Sequence, residues 1–297
     1  MTAIRQARSG FAVGLHALGI GNGSKSEVVA TVARRADDVG FATLWCGEHV
    51  VMVDEPDSRY PYSDDGKIAV APDADWLDPL LALSFAAACT TTITLATGIL
   101  LLPEHSPLVV AKQAATLDVL SGGRFALGVG IGWSAEEFAA LGVPFARRGA
   151  CTAEYVAAIR QAWAEDAATF RGEFAHFEHV RLNPKPVRDR KLPVIVGGNT
   201  DASLGRVAAF GDGWYGFNLP YSAIPERLGV LAEQCGRHGR DVRNLSIAVP
   251  VSDGEPEMRA ELAAAGVTEL VIVAAPPAEA DDAADWVSTL AARWLAS

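Results

Sequence analysis

Glu48 and His49 stand side by side in the run Trp45-Cys46-Gly47-Glu48-His49. A carboxylate next to an imidazole can move protons near neutral pH. A solvated loop charge beside a packed imidazole would give the same two letters. Gly98 and Ile99 follow a β-branched run, and a glycine inside a strand marks a bulge or a close backbone approach. A planar ring pressed on the chain needs such an approach; simple core packing also accounts for it. Gly130, Ile131, Gly132 and Trp133 close the run Gly128-Val129-Gly130-Ile131-Gly132-Trp133. Its alternate glycines bare backbone amides and admit a ligand close to the chain. Gly197, Gly198, Asn199 and Thr200 stand just before a helical pattern, where free amides suit a phosphate. Capping by Asn199, Thr200 or Asp201 is the alternative there. Arg147 and Arg148 could reach an acidic tail or start a solvated helix. Trp76, Trp133 and Trp214 could line a pocket or fill a core, and His16 and His105 sit near strand ends.

These residues need elements that bring them together. Short apolar runs at 11–15, 43–46, 94–101, 125–129, 194–196, 213–217, 245–251 and 269–274 read as eight strands. Helix-length patterns at 26–39, 78–89, 105–120, 135–141, 151–164, 201–210, 224–238, 256–265 and 279–295 alternate with them. Ser26 reads as the N-cap of the first helix and Gly40 as its stop. The alternation predicts an α/β fold, a single (β/α)8 TIM-type barrel spanning residues 1–297 as one domain. Two irregular insertions, 52–76 and 169–192, interrupt it. A doubly wound open sheet is disfavoured, because no strand leads into a full GxGxxG with a later acidic residue. In such a barrel the C-terminal strand ends share one mouth. The glycine-bearing stretches would then be neighbours around one rim, which suits a long ligand with a flat ring and a phosphate tail.

The chain of 297 residues carries a formal charge of −11, with its acidic residues spread rather than gathered. Such a chain repels nucleic acid and anionic membranes, so an anionic ligand needs local cations. Cys46, Cys89, Cys151 and Cys235 are far apart and form no CxxC pair, which reads as free thiols in a reducing cytoplasm. Residues 1–10 carry Arg5 and Arg8, and the apolar run after them is broken by Gly14, His16 and Gly19. That makes a poor signal peptide and no membrane span. A metal site is not expected, since only Glu48, His49 and His16 qualify as ligands at strand ends.

The chain resembles the luciferase-like monooxygenase family, especially its actinobacterial branch of F420-dependent oxidoreductases. The resemblance is carried by Leu44-Trp45 to Glu48-His49, Thr97-Gly98-Ile99 to Pro103, Ser121-Gly122-Gly123-Arg124 through Gly132-Trp133, and Pro193 to Gly198 followed by Gly211-Asp212-Gly213-Trp214. It implies an F420- or FMN-binding barrel, in which a cis peptide at Gly98–Ile99 backs the ring. Glu48 and His49 match the acidic residue and histidine facing the reactive ring, and Gly197 to Thr200 match the phosphate turn. His49 would then handle a proton or orient substrate, and Glu48 would bind the ring edge or assist. Trp133 stands where sugar-phosphate dehydrogenases of the family carry a catalytic Glu, which argues against that chemistry. The basic residue that luciferases use near Ile131 for the flavin phosphate is absent, which favours F420 over FMN. The implied reaction is hydride transfer between F420 and a small organic substrate. An FMN-dependent monooxygenase using oxygen and a non-catalytic flavin-binding protein are the alternatives. A homodimer is implied by the resemblance alone.

Overall fold

The computed structural model describes residues 11–251 and 254–295. The stretch 1–10, read above as a poor leader, lies outside them. The first strand, β1 (Ala12–Leu18), pairs in parallel with β2 (Thr43–Cys46), and β2 with β3 (Thr94–Thr97). Beyond two residues without strand geometry the chain resumes as β4 (Leu100–Leu101), and both pieces pair with β5 (Phe125–Gly130). The ring continues through β8 (Val194–Gly197), β9 (Gly213–Tyr215), β10 (Ser246–Val251) and β11 (Glu269–Val273), and β11 returns to β1. With β3 and β4 taken as one interrupted strand, this is the closed, eight-stranded parallel barrel expected from the alternation.

The period-two pattern of the strands explains why it closes. On β2, Leu44 and Cys46 face the helices while Trp45 faces the axis; on β10, Ile247, Val249 and Val251 face out and Ala248 in. The interior holds Trp45, Tyr215, Ile195 and Val271 against the small Ala96, Ala126 and Ala248. Two large rings are thus accommodated because their neighbours are alanines. The outer layer is built from α1 (Ser26–Val39), α2 (Pro79–Cys89), α3 (Pro107–Leu120), α4 (Ala135–Ala140), α5 (Arg148–Ala164), α6 (Asp201–Phe210), α7 (Ile224–Arg237), α8 (Met258–Ala265) and α9 (Ala280–Trp294). Proline in the first turn starts α2 and α3, and Asp78 accepts from Leu81 N at 2.8 Å. Gly40 ends α1 with φ 95°.

Several expectations change. Ser26 is not the N-cap of α1; Lys25 is, in extended backbone after a short turn, and the Ser26 hydroxyl goes to the Glu27 carboxylate at 3.2 Å. β1 runs on to Leu18 and so carries His16 inside the barrel. The span 169–192 is not wholly irregular: β6 (Ala168–Arg171) and β7 (His176–Val180) form an antiparallel hairpin. The span 52–76 has no helix or strand, apart from one bridge between Trp76 and Ile20. Among the described residues no helix is long and apolar enough to cross a membrane.

The barrel interior also buries a carboxyl. Glu269 accepts from Trp45 Nε1 at 2.9 Å, and a Cβ on Gly14 would fall 2.2 Å from its Oε1, so glycine is required there. Burial drives its pKa from 4.5 up to about 7. Folded protein then holds a proton that unfolded chain releases, so stability falls as pH rises through that window and is flat above it. Other buried groups titrate across this window in both proteins, so the difference between them isolates Glu269: in urea denaturation the parent chain should lose roughly 3 kcal/mol relative to Glu269→Gln as pH rises through it. Parallel curves for the two proteins would contradict the buried neutral acid.

Candidate active site

The end of β2 delivers Gly47, Glu48 and His49 to the mouth. Glu48 is buried, and both its oxygens are engaged: Oε2 accepts from Leu101 N at 2.5 Å, and Oε1 lies 3.0 Å from His105 Nε2. It therefore ties β2 to the backbone just past the break at Gly98–Ile99. Burial opposes a charge on His105, yet the bond to Glu48 and the charges of Glu48, Asp78 and Glu137 raise its pKa overall.

His49 turns to a different acid. Its Nδ1 lies 2.7 Å from Oε2 of Glu137, with side chains only 7% and 2% exposed. Glu137 comes from the first turn of α4, started by Ser134, whose hydroxyl accepts from Glu137 N at 3.2 Å. Its Oε1 accepts from Val50 N at 2.8 Å and Val51 N at 3.2 Å. On the other side of the ring, Trp133 Nε1 donates to His49 Nε2 at 3.3 Å. An indole nitrogen only donates, so Nε2 is an acceptor and Nδ1 carries the proton toward the carboxylate. Trp76 and Trp133 flank the imidazole edge-on at 4.8 and 5.8 Å between centroids. A carboxylate-oriented imidazole can accept a proton at its second nitrogen once that nitrogen gives up the Trp133 indole. A third acid, Glu104, has buried oxygens with no hydrogen-bond partner among the described residues. Burial foremost, then the charges of Glu137 and Glu48, push its pKa up to about 9. It stays neutral at physiological pH, which limits the charge gathered behind the histidines. Among the described residues no group of three or more His, Cys, Asp or Glu is arranged to hold a metal.

The Gly98–Ile99 bond is cis. Gly98 lies on the interior rings: its Cβ would sit 3.1 Å from the Tyr215 hydroxyl and 3.2 Å from Trp45. The rim glycines have a use other than the one expected. A Cβ on Gly130 would fall 1.9 Å from Ile99 Cδ1, and one on Gly197 2.7 Å from it. These glycines make room for the Ile99 side chain, and through it they fix the bulge. Gly132, at φ 75°, makes room for Phe138. Trp214 is wholly buried toward the helices, with Nε1 donating to Gly198 O at 2.9 Å, so it lines no pocket.

At the far side of the rim, Thr200 caps α6 by accepting from Ser203 N at 3.2 Å. Asn199 donates to Phe217 O at 2.7 Å, and its buried Oδ1 has no partner among the described residues. Two guanidinium groups converge nearby. Arg148 donates to Gly132 O at 3.0 Å and lies 3.8 Å over the Phe145 ring. Arg206, on α6, donates to Ser203 Oγ at 3.0 Å, while its Nε is buried with no partner among the described residues. Among the described residues neither has an acidic partner. Burial lowers the pKa of each, and for Arg206 the neighbouring Arg148 adds to the effect. Arg147, in contrast, pairs with Glu173 on the surface.

The 52–76 insertion covers this mouth. Glu136 accepts from Asp57 N and Ser58 N at 3.0 and 3.1 Å, and Asn218 donates to Tyr62 O at 2.7 Å. The pinned segment lays Tyr60 against Trp133 and Tyr62 against Phe217, at 5.3 and 5.5 Å. Glu137, Arg206, Tyr215, Tyr60 and Tyr62 all escaped the reading of the sequence. A first-turn acid after Ser134 was the available signal for Glu137; an arginine two turns into the helix after Thr200 was the signal for Arg206.

A family model described as luciferase-like monooxygenase matches residues 10–293. An uncharacterized protein of Mycobacterium tuberculosis is 36% identical over 266 residues, covering 89% of this chain and 93% of the relative. Monooxygenase RslO1 from Streptomyces bottropensis superposes with a TM-score of 0.75 at 21% identity, over 96% of this chain and 98% of that one. The coenzyme F420 dependent tetrahydromethanopterin reductase from Methanopyrus kandleri superposes equally well, at 0.75 and 15% identity, over 97% and 99% of the two chains. At those identities the two structures share the fold.

Glu137→Ala would strand one imidazole and two amides at once. A destabilisation of about 3 kcal/mol is expected in urea denaturation. A change under about 0.5 kcal/mol, the surface norm, would show that Glu137 holds nothing.

Proposed function

The chain belongs to the luciferase-like monooxygenase family, and from that premise we propose that it is an F420-dependent oxidoreductase. The observation that carries the reading is the Arg148–Arg206 pair beside the Gly197–Thr200 turn, at one side of a mouth that also holds His49. A buried guanidinium nitrogen without a partner is costly unless an acceptor arrives. The residues present fit an anionic tail: amides at the start of α6, the Arg206 Nε, and Arg148. The cation that seemed to be missing near Ile131 is thus supplied from α5 and α6. Two arginines suit the polyanionic tail of F420 at least as well as the single phosphate of FMN.

When bound, F420 supplies the hydride chemistry. The chain's own residues do the rest. Ile99 and Gly98 present a flat backbone surface at the bulge. His49, its Nδ1 held by Glu137, takes or returns a proton at Nε2, exchanging the Trp133 indole for the substrate there. Glu48 supports that wall from behind by holding Leu101 N and His105. Tyr60, Tyr62 and Trp76 cover the mouth and keep water from the reacting atoms. The partner is a small organic molecule with a carbonyl or conjugated double bond.

A second reading, an FMN monooxygenase that uses oxygen, is favoured by the structural likeness to monooxygenase RslO1. The two separate under anaerobic conditions. Reduced F420 should be oxidised without oxygen when ketones and unsaturated carbonyls are screened, and His49→Ala should slow that oxidation about 100-fold with cofactor affinity kept. Turnover that begins only when oxygen is admitted, or that His49→Ala leaves unchanged, would overturn the proposal.

A further inference from the structure

A third imidazole reaches the mouth and has no part in the chemistry above. His16, on β1, is 8% exposed, and its Nδ1 lies 2.7 Å from the Tyr215 hydroxyl. Tyr215 cannot turn away. Its ring packs 4.6 Å from that of Trp45, and its oxygen lies beneath Gly98. Among the described residues, His16 Nδ1 is the one hydrogen-bond partner that this hydroxyl has. A buried hydroxyl without an acceptor is costly, so Tyr215 donates and Nδ1 accepts.

The protonation states agree with that assignment. Burial foremost, with Glu269, Tyr60 and Cys46 facing it, holds the phenol pKa well above its ordinary value. Burial lowers the His16 pKa to about 4, so the ring is neutral near pH 7. A neutral imidazole that accepts at Nδ1 carries its proton on Nε2. A Cβ on Gly47 would lie 3.3 Å from that nitrogen and 3.2 Å from Gly98 O. Nε2–H is therefore beside the β2 end and the bulge, and among the described residues no acceptor takes it.

We propose that His16, set by Tyr215, is a neutral hydrogen-bond donor that binds a carbonyl oxygen of the ligand held at the mouth. The oxygen belongs either to the ring system or to the substrate. His16 thereby complements His49. One imidazole is turned by a carboxylate so that its mouth-facing nitrogen accepts; the other is turned by a phenol so that its own donates. A neutral donor can stabilise negative charge growing on an oxygen without giving up its proton. The ligand part of this inference rests on the proposed function; the tautomer part does not.

Long-range proton–nitrogen NMR on protein labelled in its histidines tests both, with His16→Gln assigning the resonances. Without any ligand, His16 should show the Nε2–H form at neutral pH, and Tyr215→Phe should release it to mixed tautomers. An Nδ1–H form, or a titration midpoint near the ordinary histidine value, would overturn the proposal. Oxidised F420, FMN and then cyclohexanone are added next. A moved His16 Nε2 signal on adding either cofactor assigns the oxygen to the ring; movement only with cyclohexanone assigns it to the substrate. His16→Gln should weaken whichever probe moves it about tenfold, close to one neutral hydrogen bond. No movement with any of the three refutes the donor role. If neither cofactor binds at all, the proposed function fails, while the tautomer and the cyclohexanone result still decide this inference.

Discussion

Ile99 fills a socket that glycines leave open, and the mouth of the barrel is organised around that contact. β3 stops at Thr97, β4 begins at Leu100, and between them Gly98 lies against the interior rings of Tyr215 and Trp45. The side chain that results needs space on β5 and β8, and Gly130 and Gly197 provide it. A single Cβ at either place would fall within 3 Å of Ile99. Either overlap would force the Ile99 side chain out of its present position in a densely packed interior. Glu48 then fastens the far side of the bulge through Leu101 N, and His105 fastens Glu48. The alternate glycines therefore act on a ligand at one remove: they shape the protein surface that a ring would meet.

Charge at the mouth is divided along the same lines. Three glutamates and two histidines are gathered on one side, in a chain that is already acidic. One of the acids, Glu104, is driven to the neutral form by burial and by the other two. The remaining carboxylates each hold an imidazole and backbone amides. Positive charge lies farther along the rim, past Gly132, where among the described residues Arg148 and Arg206 have no acidic partner. A ligand that is flat at one end and anionic at the other finds both ends answered. That polarity comes from local placement, since the net field of the chain opposes it.

The architecture was legible because it depends on periodicity. Strand and helix periods alternate along the whole chain, and the glycine-bearing strand ends fall at one rim once the barrel closes. Glu48, His49, Gly98 and Ile99 stood out by type and position. What could not be read was which side chains meet. Glu137 lies 88 residues from His49, and Tyr215 lies 199 from His16. Neither pair leaves a mark in spacing, because both are made by closure of the barrel and by one insertion. Arg206 was hidden differently: it reads as an ordinary helix charge until the turn at Gly198 brings the start of α6 to the rim. Local rules failed on the small scale too. Ser26 looked like a cap, and the turn before it gave that position to Lys25.

The proposed function turns on whether the arginine side of the mouth takes the anionic tail of F420. Fluorescence titration of F420 and FMN, side by side, against the parent chain and Arg206→Ala tests it most directly. F420 should bind at least about tenfold more tightly than FMN, and Arg206→Ala should weaken F420 about tenfold, as expected when one charge-assisted bond is lost. Equal or tighter binding of FMN, or F420 binding that Arg206→Ala leaves unchanged, would contradict the account.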